Sequence, residues 1–346
     1  MVQKPTYDAA ALTREITTAL DTHKAALLAQ LKTQLAACPA AAANWADATP
    51  ETTTVTLHPT QGWSKCVYVV QHGDHELILS VFSPHGIDSE RASFTDQKKL
   101  QDHYRANGLP VPQQYGGPFT VCGMKYPCLL NAFCHGYQLG PQHPITAAAA
   151  ESLGHCVARS HKLAAGFHPH DARHDWKMHS LPHGFVHGDI NFRNVILDPT
   201  TDGVVGILDF ERVRYRPFAD DLADRLRQFI RVTVTDGRFS LCMLPEAADF
   251  MRSYEAIRPL QPKEWKALET RVLMHAERKC TEPDWDMLQD DHPGSAIRPE
   301  SLTETQRRQL HEAAGSAVHT FFAAYQPRGN FQQRTQPAHS EAAYMA

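Results

Sequence analysis

His187-Gly188-Asp189-Ile190-Asn191-Phe192-Arg193-Asn194 is followed, a short interval later, by Ile207-Leu208-Asp209-Phe210-Glu211. Between them runs Val195-Ile196-Leu197, a short apolar strand, and then the turn-rich Asp198-Pro199-Thr200-Thr201-Asp202-Gly203. A second apolar run, Val204 to Leu208, carries Asp209 at its far end. The pattern predicts a β-hairpin that returns one carboxylate beside a loop holding another. Taken singly, Asp189 and Asn194 are turn formers and Asp209 is a strand-end cap. Two apolar strands framing them so regularly argue instead for one polar cluster.

Phosphoryl transfer needs such a cluster. One carboxylate, here Asp189, orients or accepts the proton of the attacking hydroxyl, while an amide and a second carboxylate, here Asn194 and Asp209, hold magnesium against the phosphates. At these residues the chain resembles the aminoglycoside phosphotransferase and choline kinase group, small-molecule kinases with a protein-kinase-like fold. The resemblance spans roughly residues 52 to 325. It implies an α+β fold of two lobes: a small lobe with a five-stranded antiparallel sheet and a helix, and a larger, mainly helical lobe, with ATP between them. It also implies Asp189 as catalytic base and Asn194 and Asp209 as magnesium ligands. Glu211 matches an acidic position of the family, Asp221-Leu222-Ala223 a segment whose Asp is structural, and His187 a prop for the catalytic loop.

From Thr53 the chain reads as strands: Thr53 to Leu57, Cys66 to Val70 and Glu76 to Phe82, with His72-Gly73-Asp74 as a hairpin turn. The loop His58 to Lys65, containing Gly62 and Ser64, occupies the place of a phosphate-covering flap. The third strand of the family carries a Lys or Arg for the phosphates, and here that position is Ser80, as in bacterial homoserine kinases of this fold. A missing cation removes a charge-assisted contact. Lys65 is the candidate replacement, with Lys98 and Lys99 on the next helix as alternatives. The resemblance also puts backbone groups of Ala132 and Cys134, at the end of the apolar run Tyr126 to Phe133 and just beyond it, against the adenine.

Residues 8 to 37 space Leu12, Ile16, Leu20, Leu27, Leu31 and Leu35 as an amphipathic helix or helix pair, and the Ala-rich stretch 36 to 46 reads as a connection. Residues 145 to 163 form another helix, with His161 near its end as a packing residue. His168, His170, His174, His179, His183 and His187 crowd the next stretch, but their spacing fits no standard zinc pattern. From Phe218 to Tyr325 the period is mostly helical, and the segment Tyr254 to Leu260 is similar to one in homoserine kinases. Glu282, Asp284, Asp286, Asp290 and Asp291 form an acidic run suited to a cationic amine.

The 346 residues carry a formal charge of −4, which gives no nucleic-acid footprint. Eight cysteines without a C-x-x-C pair fit a reducing cytoplasm. No run approaches membrane-spanning length, and the N-terminus lacks an apolar signal core. The expected organisation is a helical extension (1–50), a nucleotide-binding lobe with hinge (51–134), a helical lobe (135–325) and a disordered tail (326–346). The expected activity is an ATP- and magnesium-dependent transfer to a small hydroxyl compound, an amino alcohol or hydroxy amino acid such as homoserine. An antibiotic phosphotransferase and a catalytically weak nucleotide-binding regulator are the alternatives.

Overall fold

The structure is a computed structural model that describes residues 9–58, 65–82, 93–121, 126–140, 143–167, 180–235, 238–281 and 303–325. Gly62 and Ser64, the acidic run 282–291, the histidines at 168, 170, 174 and 179, and the tail from 326 lie outside the described residues.

Two helices, α1 (Ala9–Thr22) and α2 (Lys24–Leu35), precede a short helix α3 (Pro39–Ala43) in the Ala-rich stretch. Pro39 fits there because the first helical turn needs no amide donor. The five strands that follow are β1 (Thr53–Leu57), β2 (Lys65–His72), β3 (His75–Phe82), β4 (Gln114–Phe119) and β5 (Cys128–Ala132). They form one antiparallel sheet in the order β1-β2-β3-β5-β4.

Strand alternation gives this sheet two faces with different tasks. Cys66, Tyr68, Val70, Leu77, Leu79, Val81, Cys128 and Leu130 point to one side and bury themselves against Leu12, Ile16, Leu20, Leu27, Leu28, Leu31 and Leu35 of α1 and α2. Lys65, Val67, Ile78, Ser80, Phe82 and Asn131 belong to the other face and line a cleft. The N-terminal helices thus keep the back of the sheet dry while its front is left for a ligand. Leu31 is fully buried in that contact, so Leu31→Ala is expected to lower stability by about 2–5 kcal/mol. Urea denaturation measures it; a loss under about 0.5 kcal/mol, the range of surface substitutions, would mean the helices do not close this core.

Helix α4 (Phe94–Ala106) is capped by Ser93, whose hydroxyl accepts from the Asp96 amide. Its far end is tied down by Arg159, which donates to the carbonyls of Asn107 and Gly108. Arg159 lies on α5 (Ala147–Ala164), the central helix of the larger lobe. There follow β6 (His183–Val186), the hairpin β7 (Val195–Leu197) and β8 (Val204–Ile207), β9 (Arg214–Pro217), and α6 (Phe218–Leu226). The lobe is completed by α7 (Glu246–Ile257), α8 (Pro262–Thr281) and α9 (Glu304–Tyr325). Helices α5 and α7 approach so closely that a Cβ on Gly154 would lie 2.2 Å from the Phe250 carbonyl oxygen.

One part of the lobe departs from the helical expectation. Ile230–Thr235 (β10) and Arg238–Met243 (β11) pair as an antiparallel hairpin. The chain signals it locally: Ile-Arg-Val-Thr-Val-Thr alternates β-branched residues, and Asp236-Gly237 is a hairpin-turn dipeptide. Tyr254 opens the segment that is similar to one in homoserine kinases. It is fully buried, and residues 254–260 are not among those lining the cleft.

Candidate active site

The hairpin β7–β8 carries Asp209 back to the loop that holds Asp189 and Asn194. Leu208 donates its amide to the Asn194 carbonyl at 2.8 Å, and Asn194 Nδ2 donates to the Asp189 carbonyl at 2.9 Å and to its carboxylate at 3.2 Å. Asn191 closes the loop on itself. Its Oδ1 accepts from the amides of Arg193 and Asn194, and its Nδ2 donates to Asp189 Oδ1 at 3.0 Å. An Asn in this turn satisfies two backbone donors and orients the carboxylate at once.

His187 links the two carboxylates through the backbone. Its Nε2 donates to the Leu208 carbonyl at 2.8 Å, and its Nδ1 accepts from the Asp189 amide at 3.2 Å. Burial lowers its pKa below the ordinary imidazole range, and the neutral ring supplies one donor and one acceptor for these two bonds. Gly188, next in the chain, has φ of +79°, and a Cβ there would meet the Arg212 carbonyl oxygen at 2.1 Å. Only glycine fits that crossing.

Asp209 itself has φ of +64°, a left-handed conformation that Asp tolerates better than most residues. Its carboxylate lies 2.9 Å from Lys65 Nζ, which also reaches Glu211 at 2.6 Å. Burial works against charge on Lys65, but the two carboxylates outweigh it and raise its pKa above the usual lysine value. Burial likewise works against charge on Asp209, and Lys65 reverses that, lowering its pKa. Ser80 is buried on the neighbouring strand, its register partner being Val67, and it lines the same cleft as Lys65. Lys98 instead pairs with Asp102 at 2.6 Å on its own helix.

A second layer holds the loop from below. Arg258 donates to the Tyr254 hydroxyl at 2.9 Å, that hydroxyl meets His161 Nδ1 at 2.8 Å, and His161 Nε2 meets Asp221 at 3.0 Å. Arg225, 3.9 Å from Asp221, then donates to the Gly188 carbonyl at 3.2 Å. His161 is kept neutral by burial, whereas Arg225 and His161 overcome burial at Asp221 and lower its pKa. Asp224 is lowered in the same manner by His275 and Arg216. Arg225 and Gln228, which accepts from the Phe192 amide at 2.9 Å, were not singled out by the sequence; no local pattern marks a side chain that reaches a distant backbone.

These groups give the protein two acid-sensitive ranges. Free imidazole titrates near about 6.5, so below it the unfolded chain takes up protons that His161 and His187 refuse in the folded state. Stability is expected to fall as pH drops from about 8 to about 5.5. It falls again below about 4 as Asp209, Asp221 and Asp224, whose pKa values are lowered by folding, are forced to protonate. Urea midpoints across this series measure the effect; a flat midpoint over the first range would show that neither imidazole is held neutral.

The cleft between the sheet and the loop that holds Asp189 and Asn194 has a volume of about 880 Å³ and includes Asp189, Asn194, Asp209, Lys65 and Ser80 in its lining. Ala132 and Cys134 line it too, at the end of β5 and just beyond. The Ala132 amide is already donated to the Gln113 carbonyl. The Cys134 thiol donates to the Val205 carbonyl, and burial raises its pKa. Among the described residues no group of three or more His, Cys, Asp or Glu side chains is arranged to hold a metal ion, and no helix is long and apolar enough to cross a membrane.

Comparison with curated protein sequences yields no match. Among solved structures, a microcompartment-associated aminopropanol kinase superposes with a TM-score of 0.51 at 13% identity, covering 81% of this chain and 95% of that one. An ethanolamine kinase of Plasmodium vivax gives 0.44 at 11% identity, covering 83% and 89%. An aminoglycoside-3'-phosphotransferase of type VIII gives 0.45 at 17%, covering 65% and 93%. The first of these establishes the two-lobed kinase-like fold. The family model described as APH, phosphotransferase enzyme family, matches residues 54–179 and 170–239. With more than half of its length so matched, the chain belongs to the phosphotransferase enzyme family and is a transferase acting on hydroxyl groups.

Proposed function

We propose that the enzyme moves the γ-phosphoryl of ATP, with magnesium, to the hydroxyl of a small amino alcohol or hydroxy amino acid, homoserine being one example. The observation that carries this reading is the meeting of Asp189, Asn194 and Asp209 within one cleft, linked by hydrogen bonds through the Asp189–Asn194 loop and the Leu208 amide.

The donor set fits magnesium, which takes one or two carboxylates and completes its shell with phosphate oxygens and water. Asp209 would be the carboxylate and Asn194 the amide ligand; with its nitrogen committed to Asp189, the Asn194 carboxamide keeps its oxygen as the remaining ligand atom. The Lys65 ammonium between Asp209 and Glu211 marks the same spot as one that favours positive charge. When bound, magnesium neutralises charge on the triphosphate.

The residues of the chain then do the positioning. Asp189, turned toward the cleft with its side chain 16% exposed, takes the hydrogen bond of the acceptor hydroxyl and directs its lone pair at the γ-phosphorus. Asn191 and Asn194 hold that carboxylate in place, and His187 fixes the loop against the strand that ends at Asp209. Because the transition state is loose, alignment and charge neutralisation supply most of the acceleration. Lys65 takes the part of the missing cation at Ser80: it reaches the phosphate region from β2 instead of β3.

Lys65→Met is expected to raise the KM for ATP about tenfold or more, the scale of a charge-assisted hydrogen bond. An unchanged KM would remove Lys65 from the nucleotide site. The activity itself is tested by magnesium-dependent ADP release over a panel of homoserine, serine, aminopropanol, ethanolamine and aminoglycosides. Turnover of the hydroxy amino acids or amino alcohols supports the reading. Turnover of aminoglycosides alone, or nucleotide binding without turnover of any acceptor, overturns it.

A further inference from the structure

The peptide bond that joins Gly188 to Asp189 is held at both ends. Its amide, that of Asp189, donates to His187 Nδ1 at 3.2 Å, and its carbonyl, that of Gly188, accepts from Arg225 Nη2 at 3.2 Å. A peptide unit is planar, so two fixed ends set the direction in which the Asp189 side chain leaves the backbone. Room to tilt is small as well, because the Arg212 carbonyl oxygen passes within 2.1 Å of where a Cβ on Gly188 would sit.

Stability alone does not account for Arg225. Its side chain is buried, its nearest approach to the Asp221 carboxylate is 3.9 Å, and its Nη1 has no hydrogen-bond partner among the described residues. Desolvation of a buried pair offsets much of the Coulombic gain, and a buried donor without a partner costs stability. What the guanidinium supplies is geometry. Its Nε donates to the Asp221 carbonyl, one turn back on α6, at 3.2 Å, while Nη2 reaches across to the Gly188 carbonyl. The rigid fork thereby converts an anchor on the helix into a fixed position for the loop.

The anchor is fixed in its turn. The ionised Asp221 side chain can only accept, so His161 Nε2 donates to it; the neutral ring then accepts at Nδ1 from the Tyr254 hydroxyl, whose oxygen accepts from Arg258. Glu264 holds Arg258 at 2.7 Å. One arrangement of protons satisfies every link of this line, which ties α5, α6, α7 and α8 together beneath the loop.

We infer that Arg225 is a positioning residue for phosphoryl transfer: from α6 it fixes the Gly188–Asp189 peptide, and with it the carboxylate that meets the acceptor hydroxyl. This role rests on the proposed kinase reading and adds to it a residue that is not among those lining the cleft.

Arg225→Lys keeps a positive charge beside Asp221 and removes the fork. With the acceptor turned over best among homoserine, serine, aminopropanol, ethanolamine and aminoglycosides, kcat is expected to fall about tenfold or more, the scale of a displaced reacting group. The KM for ATP is expected to stay within about twofold. Hydrogen exchange of the amides of residues 187–194, read by mass spectrometry without any acceptor, is expected to quicken about threefold or more. If Arg225→Lys does not fold, Tyr254→Phe stands in: it removes one hydroxyl from the far end of the line and is expected to lower kcat about threefold or more at the same KM for ATP. Leu31→Ala, which loosens the fold behind the sheet, is the control for lost stability alone and is expected to keep kcat within about twofold. Absence of turnover of every acceptor by the unaltered protein overturns the kinase reading and this role with it. With turnover present, the positioning role alone is overturned by an unchanged kcat or exchange rate in the variant, by a KM for ATP that rises as far as kcat falls, or by an equal loss of kcat in Leu31→Ala.

Discussion

Asp189→Asn is expected to lower kcat by about 10²–10⁴-fold, the range of a lost positioned base, while the Kd for magnesium ATP changes by less than about twofold. The amide keeps the volume of the carboxylate and retains one oxygen to accept from Asn191 or Asn194, so the loop has no steric reason to move. What it loses is the negative charge that draws the hydroxyl proton away from the attacking oxygen, together with the counter-charge of Arg212. Steady-state ADP release and nucleotide calorimetry on the same preparation separate the two effects. Near-normal kcat would reduce Asp189 to a turn former.

The second large effect is expected at Asp209. Asp209→Asn should also lower kcat by about two orders of magnitude or more, since electrostatic stabilisation of the transferring group carries much of the barrier reduction. Unlike the change at Asp189, it should raise the magnesium concentration needed for half-maximal rate by about tenfold or more, because a neutral oxygen is a poorer ligand for a hard cation. Asparagine is the informative replacement. It accepts the left-handed backbone at this position, φ of +64°, whereas alanine adds strain of about 1–2 kcal/mol. A variant that kept its magnesium dependence would assign Asp209 to packing with Lys65. One that lost stability as Asn and as Ala alike would point to the ion pair, not the backbone, as what Asp209 contributes to the fold.

The same local logic explains how much of the site could be read from the chain. Asp189, Asn194 and Asp209 are joined by one loop and one hairpin, and each strand of that hairpin declares itself by apolar residues bounded by turn formers. The first three strands of the sheet were legible for a related reason, whereas the count of five came from the resemblance and β4, Gln114–Phe119, has no alternation to announce it. Alternation along the sheet separates residues that face α1 and α2 from those that face the cleft. The hairpin β10–β11 was equally local, and the helical period of its surroundings concealed a turn dipeptide and a run of β-branched residues. His161 read as a packing residue near the end of its helix. Its place in a buried line of polar groups from Arg258 to the Gly188 carbonyl depends on three other elements, and no spacing within α5 encodes it.

By itself the sequence pointed to the three polar residues of the hairpin and its loop, because their contacts span one turn and one β-ribbon, where periodicity and turn chemistry are sufficient, and the fold class followed from the family resemblance those residues carry. The tertiary structure decided that Lys65 meets Asp209 and Glu211, that Ser80 shares its cleft, and that Gln228 accepts the Phe192 amide of the loop holding Asp189. Those meetings join residues far apart in the chain, and they follow from sheet register and from the way the two lobes close on one cleft. Neither leaves a period in the amino-acid order.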